Sequence, residues 1–158
     1  MTFGKLQWTF PIAVTLHNAE EAIWMPRWDL RHAAQLPAHP PGALEIRVVL
    51  VVITLVAFGV TYLSVQRGPE SIWAYLTFGY FVTMLANVFV PHVPAAILFG
   101  GYAPGIVTAV LINFPLMTIL AVGAVRERWV SGWKAVAFGA VVPMIALGAI
   151  VVCLVAHH

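Results

Sequence analysis

The chain has 158 residues, of which 61% are hydrophobic and only 9% are charged, whereas about a quarter of a typical soluble domain is charged. This composition excludes an ordinary soluble protein and indicates an integral membrane protein with about five spanning helices, because each crossing needs about 20 apolar residues. The formal net charge of +2 comes from eight Lys and Arg residues spread along the chain, which argues against nucleic acid as a partner. We expect residues 1–158 to form a single transmembrane domain in the lipid bilayer.

Apolar runs, cut at clusters of charge, proline and glycine, predict the elements in chain order. The predicted spans cover approximately residues 6–25, 46–65, 72–90, 106–125 and 135–156. We expect the first span to end at "MPRWDLRH", where Pro26 is a helix breaker, and "LPAHPPGA" to be extended. "PHVPAAILFGGYAPG" is predicted to connect the third and fourth spans. The predicted fold is an all-α, five-helix transmembrane bundle.

The basic residues of the connections predict the orientation in the membrane. If the N-terminus lies on side A, five basic residues fall on side A and three on side B: Lys5, Arg67, Arg126, Arg128 and Lys134 against Arg27, Arg31 and Arg47. This bias predicts a multi-pass protein with a cytoplasmic N-terminus and a C-terminus outside. His157 and His158, either native or derived from a tag, are assigned no role.

The first predicted span contains the unusual segment "TLHNAEEAIWM". In a helix, residues three and four apart share a face, so His17, Glu20 and Glu21 can converge. His17 lies about nine residues from the side-B end, which is roughly 12 to 14 Å deep. Since a bare charge at that depth costs at least a few kcal/mol, we expect these groups to face the bundle interior and to have partners.

Other spans place polar side chains at a similar depth from side B. Asn87 and His92 lie near the side-B end of the third span, and Asn113 lies about nine residues into the fourth. The side-A half is predicted to offer only a few hydroxyl groups: Tyr62, and Thr108 or Thr118. The strongly polar intramembrane side chains therefore gather in one half of the bilayer, which predicts a polar cavity that opens toward side B.

The segment "HNAEE", residues 17–21, resembles the defining motif of the HXXEE family of small bacterial multi-pass membrane proteins. An Asn-then-His region, matched here to Asn87 and His92, and the "YAPG" turn, residues 102–105, are also similar to that family. The resemblance implies a five-span layout and the bacterial cytoplasmic (inner) membrane. The family has no firmly established activity, so the resemblance implies a site without naming its reaction.

The leading hypothesis is a membrane-embedded metalloenzyme. The predicted divalent metal site takes imidazole and carboxylate ligands from two helices: His17, Glu20, Glu21 and His92. Zinc is the favoured metal, with iron or manganese as alternatives. Glu21 is either a general base or a further ligand, and the orienting groups are Asn87, Asn113 and Tyr102. We expect hydrolysis of a small amphiphilic or lipid substrate by activated water.

Four other interpretations stay open. The ionisable groups can form a structural network that locks helices together, or the first segment can be an interfacial helix with solvated glutamates. A protonated carboxylate can act without metal as the acid of an isomerase or cyclase for an isoprenoid-like substrate. The set can also be the relay of a small ion or proton-coupled transporter, whose path a homo-oligomer would complete at its interface.

Overall fold

The chain is helical in the part that the computed structural model describes, which is residues 2–32, 34, 36 and 41–156, with backbone alone for residues 149–156. The helices are α1 (Phe3–Leu6), α2 (Thr9–His32), α3 (Ala43–Arg67), α4 (Ile72–Asn87), α5 (Val93–Leu98), α6 (Ile106–Thr108), α7 (Phe114–Arg126) and α8 (Gly132–Ala156). The all-α prediction is confirmed for these residues. His157 and His158 lie outside them.

Three helical stretches are long and apolar enough to cross a membrane: Ala43–Arg67, Ile72–Leu98 and Ile106–Arg126. The first is α3, the second joins α4 to α5, and the third joins α6 to α7. Within the residues described with side chains, α8 offers a shorter apolar stretch, Gly132–Gly148. These helices fit a membrane protein, as predicted, whereas crossing by α2 and α8 stays a prediction.

Helix α4 lies between several neighbours and packs against α3, α7 and α8. Gly79 permits the close approach of α8, because a Cβ atom at this position would lie 2.6 Å from Val142 Cγ2. On α2, the fully buried Phe10 makes edge-to-face contacts with Tyr80 and Phe81, with ring centroids 5.0 and 4.9 Å away. These aromatic contacts hold α2 beside α4 and thereby position the ionisable segment of α2.

Helix α2 is longer than the sequence predicts, since it continues through Pro26 to His32 rather than ending at Met25. Proline removes one helical hydrogen bond, but the last turn gains tertiary contacts. The rings of Trp28, His32 and Phe99 pack together with centroids 4.4 to 4.9 Å apart. This cluster joins the end of α2 to the loop that follows α5, a contact that the local sequence does not reveal.

Candidate metal centre

Helix α2 presents His17 and Glu21 to the protein interior. They are four residues apart and therefore share a face, and their exposed fractions are 1% and 8%. The same face carries the buried residues Phe10 and Val14, so packing of this apolar stripe directs both ionisable side chains inward. Glu20 lies to the side of this face and is partly exposed.

A break after α4 brings His92 back toward Asn87. Val90 has extended backbone angles, φ −147° and ψ 111°, as expected for a residue before proline. The helix resumes as α5, with Pro94 in its first turn, inside the segment that the sequence predicted as the connection between the third and fourth spans. Because of this break, residues five apart meet: Asn87 Nδ2 lies 3.0 Å from His92 Nε2.

The "YAPG" turn supplies the third side of the site. Gly105 has a φ of 83°, a conformation that residues with a Cβ atom rarely adopt. A Cβ here would lie 2.6 Å from His92 Cε1 and 2.9 Å from His17 Cε1. Glycine is therefore required both by the turn and by the two imidazole rings that pack against it.

Three ligand atoms converge beside this turn: His17 Nε2, Glu21 Oε1 and His92 Nε2, here called the His-Glu-His cluster. Glu21 Oε1 lies 3.8 Å from His17 Nε2 and 3.5 Å from His92 Nε2, and the three ligand atoms lie within 4.8 Å of one another. Ligands of a tetrahedral zinc ion at about 2.0–2.1 Å lie roughly 3.3 Å apart. The two pairs that include Glu21 lie within a few tenths of an ångström of that spacing. The two imidazoles, up to 4.8 Å apart, would have to approach each other by up to about 1.5 Å for the group to hold a metal ion.

Hydrogen bonds determine which ring nitrogen of His17 carries the proton. Thr108 Oγ1 lies 2.6 Å from Glu20 Oε2 and 3.0 Å from His17 Nδ1. The hydroxyl donates its single proton to the carboxylate, so Nδ1–H of His17 donates to the hydroxyl oxygen. The lone pair of His17 Nε2 is therefore left facing the cluster, where Asn87 Nδ2 lies 3.2 Å away.

The ring of His92 has the same arrangement. Its Nε2 faces the Asn87 amide nitrogen, which can only donate. The ring also has a backbone hydrogen bond to Pro104, and a proline offers only its carbonyl oxygen as an acceptor. Both imidazoles thus have an unprotonated Nε2 that accepts from Asn87 and lies beside Glu21, and an unprotonated ring nitrogen is the form in which histidine binds metal ions.

Glu20 lies beside the cluster and is held by other groups. Its carboxylate accepts hydrogen bonds from Tyr102 Oη (2.8 Å), Val107 N (3.3 Å), Thr108 N (2.8 Å) and Thr108 Oγ1 (2.6 Å). Burial and the Glu20 carboxylate raise the pKa of the Tyr102 hydroxyl, so the phenol is a proton donor at neutral pH. The oxygens of Glu20, which the sequence suggested as ligands, are thus directed toward Thr108 and Tyr102.

Asn113 is not joined to the cluster by a hydrogen bond. It ends a widened helical turn, Ala109–Asn113, in which the Phe114 N–H bonds to the Ala109 carbonyl. This turn precedes Pro115, which lacks an N–H for the regular helical pattern. The Asn113 side chain is fully buried, and neither of its polar atoms has a partner in the described part of the chain. Its orienting role stays a prediction.

Sequence reasoning missed two residues of this site. Thr108, which we expected toward side A, bridges Glu20 and His17. Gly105 was interpreted only as a turn residue, yet it also packs against both imidazoles. The position of Thr108 near the start of the fourth predicted span, directly after a turn on side B, was the available signal.

The regions of this chain that are similar to known proteins include the residues of this site. A family model described as "Protein of unknown function with HXXEE motif" matches residues 8–120, which include every member of the cluster. The uncharacterized protein YrkK of Bacillus subtilis (strain 168) is 31% identical over 111 residues, or 70% of this chain and 69% of YrkK. No solved structure matched the chain. The chain belongs to the HXXEE-motif family, as its "HNAEE" segment predicted.

Proposed function

We propose that the protein is a membrane-embedded, metal-dependent hydrolase for an amphiphilic or lipid-like substrate. The observation that carries the proposal is the surroundings of Glu21. The Glu21 side chain is 11% exposed and accepts no hydrogen bond from any described residue, while the Nε2 atoms of His17 and His92 lie 3.8 and 3.5 Å from its Oε1. A buried, ionised carboxylate in such a place costs several kcal/mol unless a cation compensates its charge or a proton neutralises it. One divalent cation bound to all three groups satisfies the carboxylate and both imidazoles.

His17, Glu21 and His92 are the proposed ligands, and zinc is the favoured ion. Two imidazoles and one carboxylate form a set that zinc accepts in catalytic sites, and iron or manganese also suits it. Three protein ligands leave a coordination position for water or substrate. A metal bound there supplies a Lewis acid and lowers the pKa of bound water to about 7.

The surrounding residues hold these ligands in place. Through Thr108, Glu20 fixes the ring orientation and tautomer of His17, as carboxylates commonly do behind metal-bound histidines. Tyr102 in turn holds Glu20. Asn87 bonds to both Nε2 atoms without a metal. When a metal takes these lone pairs, the amide is released and can direct either a donor or an acceptor toward a substrate.

The outer surface of the helices supports an amphiphilic substrate. Large apolar side chains of α3 and of the stretch from α6 to α7 are exposed, as in Leu55 (64%) and Leu111 (69%). Tyr102 is 44% exposed while it contacts Glu20, so the site reaches the surface along this edge. We place the protein in the bacterial cytoplasmic membrane and infer that substrate enters from the bilayer.

Metal analysis tests the proposed centre. Protein that ends before His157 and carries no histidine tag, purified without chelators, is expected to hold about one Zn, Fe or Mn ion per chain. The ion should be lost in His17→Ala, Glu21→Gln and His92→Ala. His32→Ala, a matched control on α2 outside the cluster, should keep it. Protein without metal, or metal retained in all three cluster variants, would overturn the proposed centre.

The hydrolytic step needs a separate test. The protein is incubated with a bacterial total lipid extract in ¹⁸O-labelled water, and the products are analysed by mass spectrometry. Hydrolysis places one labelled oxygen in the product acid. Glu21→Gln should form no labelled product. Products formed without label would contradict hydrolysis.

A metal-free acid is the second candidate, and the position of Asn87 favours it. Because the Asn87 amide lies 3.2 and 3.0 Å from the two Nε2 atoms, both imidazoles have a partner without a metal. Glu21 would then carry a proton and donate it to an alkene or epoxide of an isoprenoid-like substrate. Activity that survives complete removal of metal would support this candidate over the hydrolase.

A further inference from the structure

A separate recess, mostly apolar but flanked by two arginines, lies between α2 and α3. Its volume is about 440 Å³, and it is lined by Ala22, Ile23, Trp24, Pro26, Arg27 and Arg47. None of these residues belongs to the His-Glu-His cluster, so the recess is a distinct binding site, although Trp24 packs edge-to-face on Tyr102 with ring centroids 6.4 Å apart.

Pro26 explains how Arg47 is held in this recess. A proline within a helix has no N–H for the carbonyl four residues earlier, which here belongs to Ala22. Arg47 of α3 donates its Nε–H to that carbonyl at 3.4 Å. This bond holds the Arg47 side chain against α2, and the two terminal NH₂ groups of its guanidinium keep four N–H donors for another partner.

Two positive charges thus line one recess. Arg27 and Arg47 are both exposed, and neither pairs with a carboxylate of the described residues, in which the ion pairs are those of Glu21 with the two histidines. Like charges that line one recess repel each other, and an anion bound between them relieves this repulsion. Guanidinium groups bind phosphate oxygens in a bidentate manner, which makes a phosphoryl group the matching ligand.

The surroundings of the recess fit the headgroup level of a membrane. Trp24 and Ile23 are 51% and 61% exposed, and Arg47 lies in the first turns of α3, which begins at Ala43 and is apolar enough to cross a bilayer. Tryptophan and arginine are typical of the interface between acyl chains and headgroups. Ile23 and Ala22 add apolar lining beside the charges, as an acyl chain attached to a phosphate requires.

We propose that the recess formed by Arg27, Arg47 and Trp24 binds a phosphoryl anion, supplied by the headgroup of an anionic membrane lipid or by free phosphate. The two guanidinium groups bind the phosphate oxygens, and Trp24 packs against the apolar part of the lipid.

Lipid titration followed by native mass spectrometry tests this site. The full chain in detergent is titrated with phosphatidylglycerol, with phosphatidylcholine and with inorganic phosphate alone. We expect tighter binding of phosphatidylglycerol than of phosphatidylcholine, weakened about tenfold in Arg27→Gln and in Arg47→Gln because each loses a charge-assisted hydrogen bond. Arg67→Gln, at the opposite end of α3, is the matched control and should bind as the wild type does.

The outcomes separate the two sources of the anion. Weakened phosphatidylglycerol binding in Arg27→Gln supports the lipid headgroup as the source of the anion. If inorganic phosphate instead raises the thermal unfolding temperature of the wild type but not of Arg27→Gln, the result supports free phosphate. Arg27 makes no hydrogen bond to a described residue, so its variant tests the site even if Arg47→Gln fails to fold. Binding of both anions by Arg27→Gln with wild-type affinity, or equal weakening in Arg67→Gln, would overturn the proposal.

Discussion

Replacement of Thr108 by valine isolates one hydrogen-bonded bridge of the proposed centre. The hydroxyl joins Glu20 Oε2 at 2.6 Å to His17 Nδ1 at 3.0 Å, and valine keeps nearly the same shape without it. The Thr108 amide still donates to Glu20 at 2.8 Å, so the helix turn should stay in place. What is lost is the hydroxyl acceptor of the His17 ring N–H, which then keeps only its backbone hydrogen bond to Gly105.

Loss of such a partner behind a metal-bound histidine lowers metal affinity by about 10- to 100-fold, which is about 1.4–2.7 kcal/mol. The assay is competition for zinc between the protein and a fluorescent chelator of known affinity. Thr118→Val is the matched control, because that hydroxyl bonds only to the Phe114 carbonyl of its own helix. Wild-type zinc affinity in Thr108→Val would refute the role assigned to the bridge.

Three further variants probe the surroundings of the cluster. Gly105→Ala should lower zinc affinity at least 100-fold in the same competition assay, because the new methyl group meets both imidazoles. Gly101→Ala is the control, since a methyl group there has no neighbour within 4 Å and should leave zinc affinity unchanged. Equal losses of zinc affinity in the two variants would contradict this reasoning. Tyr102→Phe should lower zinc affinity less than about tenfold, since Glu20 keeps its three other donors; a larger loss would show a direct role for the phenol. Asn18→Ala should lower the free energy of unfolding by about 1 kcal/mol, because the variant loses the hydrogen bonds of Asn18 to α3. Thermal unfolding in detergent measures this loss, and unchanged stability would contradict the prediction.

The sequence indicated the location of the site because depth in a membrane can be counted along each helix. Counting from side B grouped these polar residues: His17, Glu20, Glu21, Asn87, His92 and Asn113. The structure brings His17, Glu21, Asn87 and His92 together but joins Asn113 to none of them by a hydrogen bond. The depth count could not tell which of the two glutamates, Glu20 or Glu21, faces the interior, since adjacent residues lie about 100° apart on a helix. The burial of Phe10 on the same face, a tertiary effect, turns Glu21 rather than its neighbour toward the interior.

The remaining differences arise where the backbone leaves regular geometry. Thr108 reaches the site because Gly105, with its positive φ, directs the following turn toward α2. Helix α2 passes through Pro26 because Trp28 packs on the loop after α5, and its indole N–H donates to the Tyr102 carbonyl at 3.0 Å. Such contacts between distant segments leave no periodic pattern in the sequence, so composition and spacing could not predict them.

X-ray absorption at the zinc edge of the zinc-loaded protein tests the central claim most directly. A centre formed by His17, Glu21 and His92 predicts two imidazole nitrogens at about 2.0–2.1 Å together with oxygen ligands. His92→Ala, taken through the same zinc loading and washing, should show no zinc edge, because it lacks one of the three ligands that hold the ion. A spectrum without imidazole scattering, or one that neither His92→Ala nor His17→Ala changes, would contradict the proposed metal centre.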